Sequence, residues 1–443
     1  MSTQQIVAFI VSLIVIQLCY ADNLEYCHKT QKCEKNYGEH WKQQSNTSIK
    51  RYIFYDVNPP EGFNLRRDVY IRVSTFIHQL AKEDKLYEWK LVLPPWGHLY
   101  HWKSNDVGPQ KQIPWGTFFD VESLKKYAPV IEMHEFFEEY PPENGRTVLD
   151  YVYFLRNDEE MFKTGNFEDK NIITSCPNKG VPYEKGIKEE YTGVFWYYSN
   201  ITAKKFDCIT FHGTTLDLKE NLHPNLYKTI MFDHMEIPLH SDYGSANYWK
   251  ARRSMRYNKI LYRIAEEFRS TYLKSNDFDD KTERPKDWRV KKKKRDAIGG
   301  PYLAVHYRRQ DFTLGRRSPT IENTALQIIK ALKSLNLNMV FIATDTHNEE
   351  YHQLTKKLAG YDVFRFIPSN QIKQKYKDGG VAIIDQIICS HARHFIGTKE
   401  STFTYRIQED REILSFPVES TFNNLCPEGN TCSPEGRWEI VWE

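Results

Sequence analysis

Four features are missing from this 443-residue chain, and the absences exclude whole classes of function. It has almost no charge surplus: 61 Lys and Arg stand against 58 Asp and Glu, for a net charge of +3. No global field therefore steers it toward nucleic acid. Beyond an apolar stretch from Ile6 to Leu18, no segment approaches the ~20 apolar residues of a spanning helix. Compact catalytic and metal motifs are also missing. There is no P-loop, no GxSxG elbow, no HExxH and no CxxC pair, and His134-Glu135 lacks a second histidine. Internal repeats and low-complexity tracts are absent as well.

What is present is an apolar share of 40%, with 14% aromatic and 27% charged residues, the composition of a folded globular chain. The length exceeds what one core usually serves and favours two domains. The first residues, through Ala21, read as a signal peptide, although the n-region lacks Lys and Arg; a signal anchor is the lesser alternative, since the apolar stretch is short of the ~20 residues of a span. Seven cysteines follow Ala21. Spacing suggests Cys27–Cys33, Cys176–Cys208 and Cys426–Cys432, with connectivity open and Cys389 left as a buried free thiol. With the sequons at Asn46 and Asn200, these signals agree on an oxidising, secretory compartment.

Residues 22–50 read as a polar tether. Arg51–Val57 reads as a strand, and Val69, Val73, Phe76, Ile77 and Leu80 recur at helical spacing behind Asn64 as expected N-cap; Trp89–Leu93 is the next strand. The same grammar returns from Tyr302 onward: strands at Tyr302–Tyr307, Met339–Thr344, Val363–Phe366 and His394–Gly397 alternate with helices, including Val381–Ala392 and Phe403–Glu412. One long helix is expected over Tyr248–Phe268. The expected fold is α/β and GT-B-like, two Rossmann-like domains facing a central cleft: residues 51–245, residues 246–420, and a segment 421–443 packing back on the first domain. Such a cleft lies at the carboxyl ends of strands, where ligands bind.

Three segments carry candidate chemistry. In Asp56-Val57-Asn58-Pro59-Pro60-Glu61-Gly62-Phe63-Asn64, two prolines stiffen a loop that presents Glu61, a carboxylate able to take a proton from an attacking hydroxyl. In His306-Tyr307-Arg308-Arg309-Gln310-Asp311, Arg308 follows a strand and can grip two phosphate oxygens, whereas Arg309 and Asp311 are expected to pair on the surface. Asp385 is an acid in an apolar helix, suited either to the donors of a guanine or to an internal ion pair. Ser401 and Thr402 open a helix, which fits phosphate oxygens or ordinary capping. Asp277-Phe278-Asp279 reads as solvated rather than as a metal motif, and Lys291–Arg295 as a solvated face or an edge for an acidic partner.

The blocks DVNPPEGFNLRRDVYIR, LVLPPWGHLYHW, GGPYLAVHYRR, DGGVAIIDQIIC and STFTYRIQEDRE resemble those of the GDP-fucose protein O-fucosyltransferases, specifically the members that act on thrombospondin type 1 repeats. The resemblance implies a monomeric inverting enzyme of the endoplasmic reticulum lumen that uses GDP-fucose as co-substrate and needs no metal. Glu61 would be its base. Pro60, Glu61, Gly62, Phe63, Asn64, His306, Tyr307, Arg308, Asp385, Ser401, Thr402 and Phe403 would hold the donor. Asp410 stands where that family usually has a glutamate, and as a possible essential acid it is one methylene shorter. EGF-like repeats as acceptor, and a non-catalytic lumenal binder of folded repeats, are the alternative readings.

Overall fold

The computed structural model describes residues 49–442 apart from 178, 187–188, 239–242, 293–294, 314–317 and 429–435. The expected signal peptide, most of the tether, Cys27–Cys33, the Asn46 sequon and Cys432 lie outside the described residues. From residue 51 onward, apart from 86–88, the chain forms one compact unit. Two sheets organise it.

The first sheet runs β3-β2-β1-β9-β4-β8-β7-β6, with β5 also on β8. Its strands are β1 (Ile49–Tyr55), β2 (Tyr87–Leu93), β3 (Val130–Glu132), β4 (Thr147–Arg156), β5 (Lys170–Thr174), β6 (Glu184–Lys185), β7 (Tyr191–Thr192), β8 (Ile201–His212) and β9 (Thr229–Asp233). β1 owes its place to alternation: Tyr52 and Phe54 both enter an apolar cluster with Met231 and Val152. β9 pairs parallel with both β1 and β4. An antiparallel extension, β5 on β8, brings Thr174 opposite Cys208, and the expected Cys176–Cys208 disulfide is formed there. Cys426 is also disulfide-bonded, and Cys389 is buried and free. Asn200 directly precedes β8.

Helix α1 (Phe63–Glu83) follows β1 and buries Val69, Val73, Phe76, Ile77 and Leu80, as their spacing predicts. Its N-cap is Gly62 rather than Asn64, which sits inside the first turn. The expected helix over Tyr248–Phe268 is two helices, α2 (Ala246–Ser254) and α3 (Lys259–Tyr272). The break has a local cause: Asn258 caps α3, its Oδ1 accepting the Ile260 N–H at 2.9 Å.

The second sheet is parallel throughout, in the order β12-β11-β10-β13-β14. Its strands are β10 (Gly300–Tyr307), β11 (Met339–Thr344), β12 (Asp362–Phe364), β13 (Ala392–Thr398) and β14 (Asn424–Leu425), connected by α4 (Ile321–Leu335), α5 (Asn348–Lys357), α6 (Asn370–Ser390) and α7 (Thr402–Leu414). α6 begins eleven residues before the expected Val381 and is kinked at Lys377. β14, from the C-terminal segment, adds a strand to the second sheet, while Trp438 of the same segment lies 6.2 Å from the Tyr243 ring. Strand order reverses between β10 and β13, so the crevice expected of a doubly wound sheet opens at their carboxyl ends.

Buried charge joins the two halves. Asp68 on α1 accepts from Tyr248 Oη (3.1 Å) and Arg406 Nη2 (3.3 Å). Glu409 on α7 accepts from Arg252 Nε (2.6 Å) and Tyr248 Oη (2.6 Å) and is ion-paired with Arg406 Nη2 (2.9 Å). Such charges are tolerated in a core only when paired and hydrogen-bonded. Two surface expectations change as well. Phe278 and Asp279 are exposed as expected, but Asp277, a third exposed, is also ion-paired: Arg269 Nη2 lies 2.5 Å away, and although burial opposes ionisation, His391 and Arg269 hold its carboxyl at about 2. Arg295 is bound to Glu412 and Glu439, each at 2.6 Å, rather than forming a free basic edge.

Candidate active site

Between the loop after β1 and the carboxyl ends of β10 and β13 lies a cavity of about 490 Å³, within the range of small-molecule sites. Pro60, Glu61, Gly62, Phe63, Asn64, His306, Arg308, Asp385, Ser401, Thr402 and Phe403 all line it. Residues more than 300 positions apart in sequence thus converge, and Glu61 and Arg308 share one space.

On the first-sheet side, the Glu61 carboxylate accepts no hydrogen bond from the described residues, while its backbone is held at both ends: its N–H donates to Asn58 O at 2.9 Å and its carbonyl accepts from Arg66 Nε at 3.0 Å. Phe63 turns away from solvent into an aromatic cluster, 4.8 Å from Trp96 and 5.4 Å from Trp102. Asn64 Oδ1 accepts from Gln386 Nε2 (2.9 Å) and Arg67 Nη1 (3.1 Å), which leaves its amide N–H groups for a ligand.

On the second-sheet side, His306 is buried, lies 4.3 Å from the Phe403 ring in a stacked arrangement, and has Nδ1 2.8 Å from Thr404 Oγ1. Thr404 Oγ1 already accepts the Thr398 N–H at 3.0 Å, so its own proton is best directed to Nδ1. That arrangement puts the imidazole N–H on Nε2. Burial, reinforced by Arg308, lowers the His306 pKa to about 3, so the ring is neutral. Arg308 pairs with Asp311, correcting the expected Arg309–Asp311 pair; Arg309 instead reaches Glu350 at 2.7 Å. Strand alternation explains the difference at Tyr307. Its ring is in the core with Leu332 and Val340, its hydroxyl donates to Pro319 O at 3.0 Å, and its side chain does not line the cavity.

Asp385 reaches the cavity from α6, with Oδ1 buried and unpartnered among the described residues. Burial raises its pKa to about 8, opposed only by the charge of Arg365. Ser401 caps α7 without a side-chain cap bond, and Ser401, Thr402 and Phe403 at this helix start line the cavity. Asp410 is elsewhere. It lies within α7 outside the cavity lining, bound to Arg252 Nη2 (3.0 Å) and Tyr257 Oη (2.9 Å). Burial raises its pKa, but Arg252, Arg284 and Arg67 outweigh that and leave it low. A buried chain continues from Tyr257 to Arg67 (2.7 Å) and from Arg67 to Gln386 (2.7 Å), ending at Asn64.

The sequence reading missed His101, Trp102, Asp311, Asp345, Asp378 and Glu400, all lining the same cavity. His101 and Trp102 lie in LVLPPWGHLYHW, where two glycine contacts mark them in retrospect. A Cβ on Gly62 would come within 3.1 Å of His101, and one on Gly379 within 2.7 Å of Trp102. Glu400 holds a left-handed φ of +59°, backbone strain of the kind that gathers at functional sites. No group of three metal-ligating side chains occurs among the described residues, and none of their helices is long and apolar enough to cross a membrane.

The sequence profile of the family described as GDP-fucose protein O-fucosyltransferase matches residues 52–414. The chain belongs to this family. Among relatives of this O-fucosyltransferase, "GDP-fucose protein O-fucosyltransferase 2" of Caenorhabditis elegans is 43% identical over 401 residues, covering 89% of this chain and 91% of the relative. The Homo sapiens protein of the same name is 42% identical over 416 residues, covering 91% and 94%. A crystal structure of POFUT1 in complex with GDP superposes with a TM-score of 0.53 at 18% identity, covering 87% of this chain and 100% of that one. It shares the GT-B-like fold with this enzyme.

Proposed function

We propose that this O-fucosyltransferase moves fucose from GDP-fucose to a Ser or Thr hydroxyl of a folded thrombospondin type 1 repeat, in the endoplasmic reticulum lumen, with inversion and without a metal. The observation that carries the chemistry is that Glu61 and Arg308 line one cavity together with His306, Asp385, Ser401 and Thr402. Asp385 would accept from the donors on the guanine edge. Arg308, the His306 Nε2–H and the first amides of α7 would receive the diphosphate.

In the reaction, the Glu61 carboxylate takes the proton of the acceptor hydroxyl, whose oxygen forms a bond to the anomeric carbon of fucose. The bond from that carbon to the β-phosphate oxygen breaks on the opposite face, and GDP leaves with the electron pair. Fixed donors aimed at that oxygen stabilise the charge as it develops, the role a divalent ion would otherwise fill. The thrombospondin-repeat reading is supported by the shared sequence blocks and by relatives named as the second O-fucosyltransferase.

Incubation of folded thrombospondin and EGF-like repeats with GDP-fucose and EDTA, followed by mass spectrometry, tests acceptor and metal requirement together. One deoxyhexose is expected on the thrombospondin repeat alone. Modification of the EGF-like repeat instead, or none until a divalent ion is restored, would refute the corresponding part; binding without donor consumption would mark a non-catalytic binder.

A further inference from the structure

Glu61 has no side-chain partner among the described residues, so its position is set by the backbone of its loop. That backbone converges on one guanidinium. Arg66, in the second turn of α1, donates through Nε to Glu61 O (3.0 Å), through Nη2 to Val57 O (3.0 Å) and Asn58 O (3.1 Å), and through Nη1 to Asp56 Oδ1 (3.0 Å). Its side chain is only 16% exposed. From the other side, Asn58 N–H donates to Glu236 Oε2 at 3.1 Å, and Asp56 O accepts the Met235 N–H at 3.0 Å, so the loop is pinned to the residues following β9.

We propose that Arg66 is a positioning residue for transfer: by tying Asp56, Val57, Asn58 and Glu61 to one planar fork, it fixes where the Glu61 carboxylate stands in the cavity. The requirement is geometric. Four donor directions in one plane are available to arginine and not to lysine, whose ammonium is a point charge on a flexible stem. Arg66 itself does not line the cavity, so it acts through the loop and not on the donor. The proposal rests on Glu61 being the base.

The test compares Arg66→Lys, Glu61→Gln and the double variant, measuring kcat, KM for GDP-fucose, GDP affinity and melting temperature. Arg66→Lys should lose about 10²-fold in kcat, the size expected for misplacing a reacting group by about 1 Å, with donor KM and GDP affinity within about threefold of the parent. The double variant should be no slower than Glu61→Gln alone, because a misplaced base matters only while a base is present. Parental kcat in Arg66→Lys, multiplying losses in the double variant, or a rise in donor KM that accounts for the loss would overturn the proposal. If Glu61→Gln itself turns over at the parental rate, the base assignment fails and this proposal falls with it; an impaired Glu61→Gln beside a normal Arg66→Lys condemns the Arg66 role alone. Should Arg66→Lys not fold, Asp56→Asn replaces it, keeping size and an acceptor oxygen while removing the negative charge that faces Arg66 Nη1. About a tenfold kcat loss at unchanged donor KM is then expected, and parental kcat would refute the proposal.

Discussion

Arg308 donates to the same oxygen of Asp311 from Nε at 3.1 Å and from Nη2 at 2.8 Å. The guanidinium that the proposed function gives to the diphosphate is thus engaged by a carboxylate that is 44% exposed at its side chain. A diphosphate must compete for it. Since pairs this open are worth about 0.2–1 kcal/mol, Asp311→Asn should tighten GDP binding by a small factor, roughly two- to fivefold, in titration calorimetry. Arg308→Lys should weaken binding by more than about tenfold, because the bidentate grip is lost.

Glu61→Ala should retain GDP binding within a few-fold and lose about 10²–10⁴ in turnover, the usual contribution of a positioned base. Fucose transfer to a folded repeat at the parental rate would remove Glu61 from the mechanism.

Asp385 predicts a proton signature. With a folded pKa of about 8 it is largely protonated at neutral pH, whereas the donors of a guanine edge favour the carboxylate. GDP binding at pH 7 should release close to one proton, visible as a binding enthalpy that depends on the buffer's ionisation heat, and Asp385→Asn should abolish the dependence. The stability sign follows from the same shift. The folded state keeps a proton that the unfolded carboxyl loses near pH 4, so this residue's contribution to ligand-free stability falls as pH rises from about 4 to about 8. Asp385→Asn should flatten that fall in thermal melts across the range.

The Thr404 hydroxyl, 2.8 Å from His306 Nδ1, is assigned as the donor that selects the His306 tautomer. Thr404→Val, close in shape, should let both tautomers populate, detectable in the ¹⁵N shifts of His306, and weaken GDP binding about fivefold, in line with one hydrogen bond of about 1 kcal/mol. Thr404→Ser should restore both. Unchanged shifts in the valine variant would contradict the assignment.

Asp410→Ala should be a stability variant first. Removing one partner of a buried pair typically costs about 3–5 kcal/mol, and Arg252 would lose one of its two buried carboxylates. A large drop in the urea midpoint is expected; a midpoint equal to the parent's would show that Asp410 is not the partner Arg252 needs.

Much of the fold was legible because periodicity survives in the sequence. Val69 to Leu80 and Tyr302 to Tyr307 report their buried faces directly, and Pro59-Pro60 marks the strand end that presents Glu61. What was hidden depends on long-range partners. Nothing local distinguishes Arg308 from Arg309 as the partner of Asp311; the choice is made by Glu350, which takes Arg309 at 2.7 Å. The resemblance places Tyr307 with His306 and Arg308 in the donor set, but a strand sends adjacent side chains to opposite faces, and the Tyr307 ring is in the core. Asp378 and Glu400 were missed for a related reason: a charged residue in a polar segment carries no mark until the fold brings it to the cavity.

The charge system shared by Asp68, Tyr248, Arg252, Arg406 and Glu409 also limits recombination. A chimera taking residues up to the end of α1 from this chain and the remainder from a distant homologue would leave an ionised group stranded in its core unless the donor supplied a matching set. These residues are therefore expected to be exchanged between lineages together, as one heritable block, and crossovers in engineered hybrids should be placed so that none falls between them.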